Sequence, residues 1–191
     1  MKKGVNWLSS RCVSLVLIEL AKKPGTPMDI RIRTGLTKNN YANIILKRLE
    51  SEGIVKCLNP EEKIGRVFCI SPESRKRVEQ IFRKNKTKQE INPLPDLNWT
   101  AYGRLSCRYC RQLRMVFKRA CEIKQEGREI TVSSLKEKLP GMATSNLYRA
   151  LDGLIKLGVV SCKDTSSRKF TVTEEGLAIV KFEPDVLNID W

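Results

Sequence analysis

Seven cysteines and no histidine limit the chemistry open to this chain. Without histidine there is no Ser/His/Asp or Cys/His nucleophilic pair, no histidine general base and no histidine-containing zinc site. Enzymatic readings lose most of their support, and the chain is read as a non-enzyme. Cys107 and Cys110 form a C-x-x-C, a spacing used by metal, cluster and redox sites. If their segment is one helix, Cys121 lies 11 residues beyond Cys110, which is ~16 Å along the axis and too far to share an ion. A four-ligand site would need Cys162 or another distant thiol. Cys12, Cys57, Cys69 and Cys162 read as small buried hydrophobes. No metal and no cofactor is expected, and whether Cys107 and Cys110 sense redox or bind metal stays open. The odd, scattered thiols fit a reduced cytoplasmic protein better than a disulfide framework.

The other available chemistry is electrostatic. The 191 residues carry 36 Lys and Arg against 21 Asp and Glu, a net charge of +15. So large an excess repels itself unless an anionic partner compensates it, and DNA, RNA and anionic lipid all meet that need. Residues 1–91 hold 20 basic against 9 acidic groups (+11), and residues 92–191 hold 16 against 12 (+4). In the second part Arg104, Arg108, Arg111, Arg114, Lys118 and Arg119 run without an intervening acid. On one helix they lie mostly opposite Leu105, Tyr109, Leu113, Val116, Phe117 and Ala120, a stripe able to track phosphates.

These side chains need elements to position them. A hydrophobic content of 41% with 8 prolines suits a folded chain, and the length suits two small domains. Val13, Val16, Leu17 and Leu20 share one face of a helix from about Asn6 to Lys22, stopped by Pro24 and Gly25. A short helix opens near Pro27 and closes near Gly35. Thr37 caps a third helix, Lys38 to Glu52, which buries Ala42, Ile45, Leu46 and Leu49 and ends at Gly53. Ile54 to Leu58 and Arg66 to Ser71 read as a hairpin with a long tip. Ser71 and Pro72 start a fourth helix to about Lys84.

The order then recurs. Leu113, Val116, Phe117 and Ala120 follow the first helix's face by 100 positions. Leu46, Leu49, Gly53, Ile54, Val55 and Cys57 return as Leu151, Leu154, Gly158, Val159, Val160 and Cys162, offset by 105. The five extra residues are placed near Gln125 to Arg128. A second hairpin, Val159 to Lys163 and Lys169 to Val172, leads to a helix capped by Thr173. Pro93 and Pro95 mark 87–99 as an extended linker between a first domain, 1–86, and a second, 100–191, which ends in a short tail. The apolar run from Cys12 to Leu20 is too short to span a bilayer and lacks the marks of an export signal, so no membrane partner is expected.

The run from Leu36 and Thr37 through Val55, the strand pair and the capped helix resemble the winged helix-turn-helix family used by many bacterial and archaeal regulators. Gly141-Met142-Ala143-Thr144-Ser145-Asn146-Leu147-Tyr148-Arg149-Ala150-Leu151 with Leu154, Leu157, Gly158, Val159 and Val160, then Phe170-Thr171-Val172-Thr173-Glu174-Glu175-Gly176-Leu177, is similar to the recognition helix, wing and T-x-x-G helix start of such proteins. The resemblance implies an α+β, mainly α, fold of two winged helix-turn-helix domains in tandem, each with three helices, a β-hairpin wing and a following helix. It implies sequence-specific binding of double-stranded DNA by a transcriptional regulator, with helix 38–52 in the major groove. A plasmid or viral replication or partition protein, and a winged-helix interaction scaffold, are the alternatives.

In that family the third helix enters the major groove and the wing follows the backbone. The first copy turns Asn40, Asn43, Ile44 and Lys47 outward, with Lys38 and Asn39 at the helix start. Asn pairs with adenine, and Lys reaches guanine or phosphate. Its wing offers Lys56, Lys63 and Arg66, with Glu61 and Glu62 at the tip. The second copy exposes Ser145, Tyr148, Arg149, Asp152 and Lys156. Asp152 must read a cytosine amino group or pair with Arg149 or Lys156. Lys163, Arg168 and Lys169 flank Thr165, Ser166 and Ser167 in the second wing, and Arg104, Arg108 and Arg111 complete the DNA-binding set. The first domain is expected to read bases and the second to clamp backbone or join subunits. Homodimerisation through 72–84, and a protein partner for the second domain or the tail Phe182 to Trp191, are left open.

Overall fold

The first helix starts later than its apolar periodicity implies. Ser10, in extended backbone, accepts the Val13 N–H at 3.3 Å and opens α1, Arg11–Lys22, after a 3-10 turn at Trp7–Ser9. The computed structural model describes residues 7–36, 41–164 and 168–187. They form an α+β, mainly helical chain with two small antiparallel sheets. Contacts divide it into one unit of residues 1–96 and another of residues 97–191. Among the described residues no helix is long and apolar enough to cross a membrane.

In the first unit, Thr26 and Asp29 form a capping box that starts α2, Pro27–Thr34, and left-handed Gly35 (φ 66°) ends it. α3, Tyr41–Ser51, buries the four apolar residues expected of it, and the proposed cap Thr37 lies outside the described residues. Gly53 (φ 68°) turns the chain into β1, Val55–Cys57, which pairs with β2, Phe68–Ile70. Gly25, between α1 and α2, bridges Phe68 on the other side of β2. The hairpin tip is not a loose loop. Asn59, 5% exposed, donates Nδ2 to the Gly65 carbonyl (3.0 Å) and accepts the Val67 N–H on Oδ1 (2.7 Å). Pro72–Ser74 form a 3-10 turn before α4, Arg75–Lys84, which buries Val78 and Phe82.

The proline-marked segment is anchored rather than free. Ile91 is buried in the first unit's core, and Asn92 donates its N–H to the Ala21 carbonyl and its side chain to that of Lys22, each at 2.8 Å. The end of the expected linker is helical. Asn98 accepts the Ala101 N–H at 2.9 Å and caps α5, Trp99–Ser106, which buries Ala101, Tyr102 and Leu105.

The second unit departs from the single basic helix expected over 104–119. The backbone turns extended at Cys107 (φ −83°, ψ 131°), a 3-10 turn follows at Arg108–Cys110, and α6, Arg111–Gln125, starts afresh. β3, Ile130–Thr131, and α7, Val132–Lys138, come next, then α8, Thr144–Lys156. β4, Val160–Asp164, and β5, Lys169–Val172, make a hairpin, with β5 between β3 and β4. α9, Glu174–Phe182, is capped by Thr173, and a 3-10 turn at Pro184–Leu187 packs Val186 beside α5 and α6. Phe182 meets the edges of Trp99 and Tyr102 at 5.6 and 5.5 Å, so the tail folds back on this unit through Phe182 and Val186, with Pro184 and Asp185 exposed.

The repeat extends to details that its leucines do not reveal. The Thr26/Asp29 box recurs at Thr131/Ser134, again 105 positions on. The five-residue insertion becomes three residues of α6 past Glu122, the counterpart of Lys22, and two in the turn after it, since 126–131 replaces 23–26. The Gly25–Phe68 bridge has its counterpart in the pairing of Ile130 with Phe170.

Candidate nucleic-acid interface

The outward face of α3 carries Asn43, Ile44 and Lys47, all exposed, with Ile44 at 60%. Lys38, Asn39 and Asn40, expected at its N-terminal end, lie outside the described residues. Arg48 also faces out, yet its guanidinium sits 3.9 Å over the Trp7 ring, while Trp7 donates to Glu52 at 2.7 Å. In the hairpin Lys56 and Lys63 are exposed and Glu61 occupies the tip as expected. Arg66 is different. It donates to Glu50 of α3 at 2.7 Å and lies over Phe68, so its charge is already matched inside the unit.

On α8, Ser145, Arg149, Asp152 and Lys156 are exposed and Tyr148 is half-buried. Asp152 makes no ion pair with Arg149 or Lys156 among the described residues, so of the two roles open to it the local pairing is not the one seen. The hairpin's Arg168, in the left-handed region at φ 48°, donates to the Tyr148 hydroxyl and stacks over its ring at 4.8 Å. Lys163 is exposed, whereas Lys169 pairs with Glu129 at 2.7 Å. Thr165, Ser166 and Ser167 lie outside the described residues.

The break at Cys107 divides the expected basic stripe. Arg108 and Arg111 remain exposed, and Arg108 covers the ring of Tyr109, which is 70% exposed and not on the apolar face assigned to it. Arg114 is 3% exposed, and its Nη1 donates to the Leu105 carbonyl at 2.9 Å and the Cys107 carbonyl at 3.4 Å. It satisfies carbonyls that the end of α5 leaves without helical partners. Arg119 pairs with Glu122 at 2.6 Å. Arg104 is half-buried and donates to Cys110.

Of the four thiols expected to be buried only Cys69 is; Cys12 and Cys57 are half-buried and Cys162, on a hairpin strand, is exposed, while Cys107 and Cys110 flank this turn and are both half-buried. A hydrogen bond from the Cys110 thiol holds Cys107 down to about 6; burial opposes the shift, and the Tyr109 backbone, Arg104 and Arg114 assist it. The same bond, with burial, pushes Cys110 up. Burial likewise raises Cys69 to about 11 and Cys121 to about 12. Among the described residues no group of three Cys, Asp or Glu side chains is arranged to hold a metal ion.

The structure brings Arg66 to α3 and Arg168 to α8, two meetings of hairpin and helix absent from the sequence reading. Their common register was available: Phe68 and Phe170 lie two residues beyond these arginines, and each faces the strand cysteine Cys57 or Cys162. In comparisons with known proteins, the chain matches no family model, no curated protein and no solved structure.

Proposed function

We infer that the protein is a cytoplasmic, sequence-specific double-stranded-DNA-binding regulator whose units are tandem winged helix-turn-helix modules. The observation that carries this is the union of third helix and hairpin in each unit, through Arg66–Glu50 and Arg168–Tyr148, on a chain of net charge +15. A helix tied to its hairpin offers one continuous surface, with side chains for base edges beside cations for phosphates. In the first unit Asn43 is the base reader, Ile44 meets a thymine methyl and Lys47 a guanine or phosphate. In the second, Arg149, Lys163 and Arg168 hold the backbone, and unpaired Asp152 accepts a cytosine amino group.

Selecting bound sequences from a random duplex pool tests this. An enriched motif is expected. Asn43→Ala then costs about 1–3 kcal/mol of discrimination at one base pair, while Lys163→Ala weakens all sequences alike. If wild-type protein binds the selected and random duplexes equally at physiological salt, the function is not sequence-specific DNA binding.

A further inference from the structure

We propose that Cys107 and Cys110 form a redox-active dithiol that exchanges with small anionic disulfides, Cys107 attacking and Cys110 resolving. The placement rests first on backbone geometry. Cys110 donates its N–H to the Cys107 carbonyl at 3.0 Å, closing a four-residue turn. Such a turn keeps its end Cα atoms within about 7 Å, and a disulfide spans Cα separations of about 4.4–6.8 Å. Each thiol also shifts the titration of the other, as two neighbouring groups do. The turn between α5 and α6 thus places the pair within disulfide reach.

The surroundings set the roles. Buried Arg114 is fixed by its bonds to the carbonyls of Leu105 and Cys107, which holds a guanidinium against the Cys107 backbone, where its charge favours the thiolate. Arg104 comes from α5, Arg108 and Tyr109 from the turn, and Arg111 and Arg114 from α6. No Asp or Glu occurs from Leu97 through Cys121. The Arg114 guanidinium, 3.4 Å from the Cys107 carbonyl, favours a thiolate at Cys107, and the Tyr109 backbone assists it, so Cys107 is the nucleophile. The exposed Arg108 and Arg111 make the approach electropositive, which favours an anionic disulfide over a cationic one.

In the first step the Cys107 thiolate attacks one sulfur of R–S–S–R. That S–S bond breaks, and one half leaves as RS⁻. Cys110 then gives its proton to solvent, and its sulfur attacks Cys107 and expels the second RS⁻. Two protein thiols and one R–S–S–R become one protein disulfide and two R–SH, and two electrons pass to the small disulfide. An excess of R–SH reverses the sequence. Cys69 and Cys121 take no part, because burial keeps both as thiols.

The test treats the full-length, reduced protein with glutathione disulfide, then blocks remaining thiols and maps the peptides by mass. The expected product is a Cys107–Cys110 disulfide that reduced glutathione reopens. Cys110→Ser should stop at a glutathione adduct on Cys107, and Cys107→Ser should leave Cys110 unmodified. Cystamine, a dicationic disulfide, should react roughly tenfold more slowly at low ionic strength, a gap that salt removes. A wild-type protein that acquires glutathione on exposed Cys162 but no Cys107–Cys110 disulfide would overturn the proposal. So would an adduct on Cys110 in Cys107→Ser that matches the one on Cys107 in Cys110→Ser. Equal rates for the two probes would overturn the preference for an anionic disulfide.

Discussion

The two units use one framework and dispose of equivalent arginines differently. Arg66 and Arg168 occupy the same place relative to the strand phenylalanines, and both reach the helix before their hairpin. Arg66 meets the carboxylate of Glu50, while Arg168 meets the hydroxyl and ring of Tyr148. A carboxylate cancels the guanidinium's charge, whereas an aromatic partner orients it and leaves the charge outward. The first unit, although richer in Lys and Arg, thus neutralises its helix–hairpin junction. The second keeps a cation there. Overall charge and charge at the junction are therefore separate properties of this molecule.

The junction with the last helix shows a second contrast. Thr173 and Ser71 donate their N–H groups to Val159 and Ile54, which are equivalent residues. In the second unit Thr173 also donates to the Gly158 carbonyl at 2.6 Å and caps α9 at Gly176. A Cβ on Gly176 would sit 2.5 Å from the Val159 carbonyl oxygen and 3.2 Å from Phe117, so only glycine lets α9 lie so close. The corresponding residue of the first unit is Ser74, whose hydroxyl reaches the Gly53 carbonyl at 2.8 Å, and there the chain takes a 3-10 turn before α4. Gly176→Ala should cost about 3 kcal/mol, since backbone cannot yield as a side-chain tip can. Ser74→Ala should cost about 1 kcal/mol, the worth of one exposed hydrogen bond. Urea unfolding of both variants measures the difference, and equal losses would break the contrast.

What was legible in sequence is what depends on local pattern. The apolar stripes of α1, α3 and α8, the left-handed glycines 35, 53 and 158, and Thr173 as a cap follow from spacing and residue type alone. What was missed depends on distant neighbours. α5 was hidden because Pro93 and Pro95 gave its approach the look of a linker, and only Asn98, three residues before Ala101, signalled a start. β3 has two residues, too few for any alternation to show. Arg114 read as one of a basic series because its burial depends on the break at Cys107, which no proline or glycine marks. At the candidate interface, the exposure of Asn43 and Lys47 followed from helical period, but the pairing of Arg66 and the stacking of Arg168 did not.

The shared capping boxes should give a smaller difference. Thr26 is 3% exposed and Asp29 7%, whereas Thr131 is only partly buried, so the first box is the better shielded from water. Thr26→Ala should cost about 2 kcal/mol and Thr131→Ala about 1 kcal/mol, both read from unfolding midpoints. A larger loss at Thr131 would show that the second box supports more than its own helix, for example the adjoining β3–β5 pairing.

The smallest effects in stability concern the arginines themselves. Arg66–Glu50 is about one-third exposed on both sides, and pairs of that kind contribute about 0–1 kcal/mol. Arg66→Met and Arg168→Met should therefore leave unfolding nearly unchanged while separating in DNA binding. Neutralising Arg168 should lower the slope of log affinity against log salt by about 1, whereas Arg66→Met should change it less, because Glu50 already compensates that charge. Glu50→Gln sharpens the comparison. It frees the Arg66 guanidinium without removing it, so duplex affinity should rise and the salt slope steepen to the degree that Arg168→Met flattens it. Anisotropy titrations over a range of salt concentrations read all three. If Glu50→Gln weakens binding, Arg66 acts by fixing the hairpin against α3, and the pairing with Glu50 is a structural strut rather than a brake on the first unit.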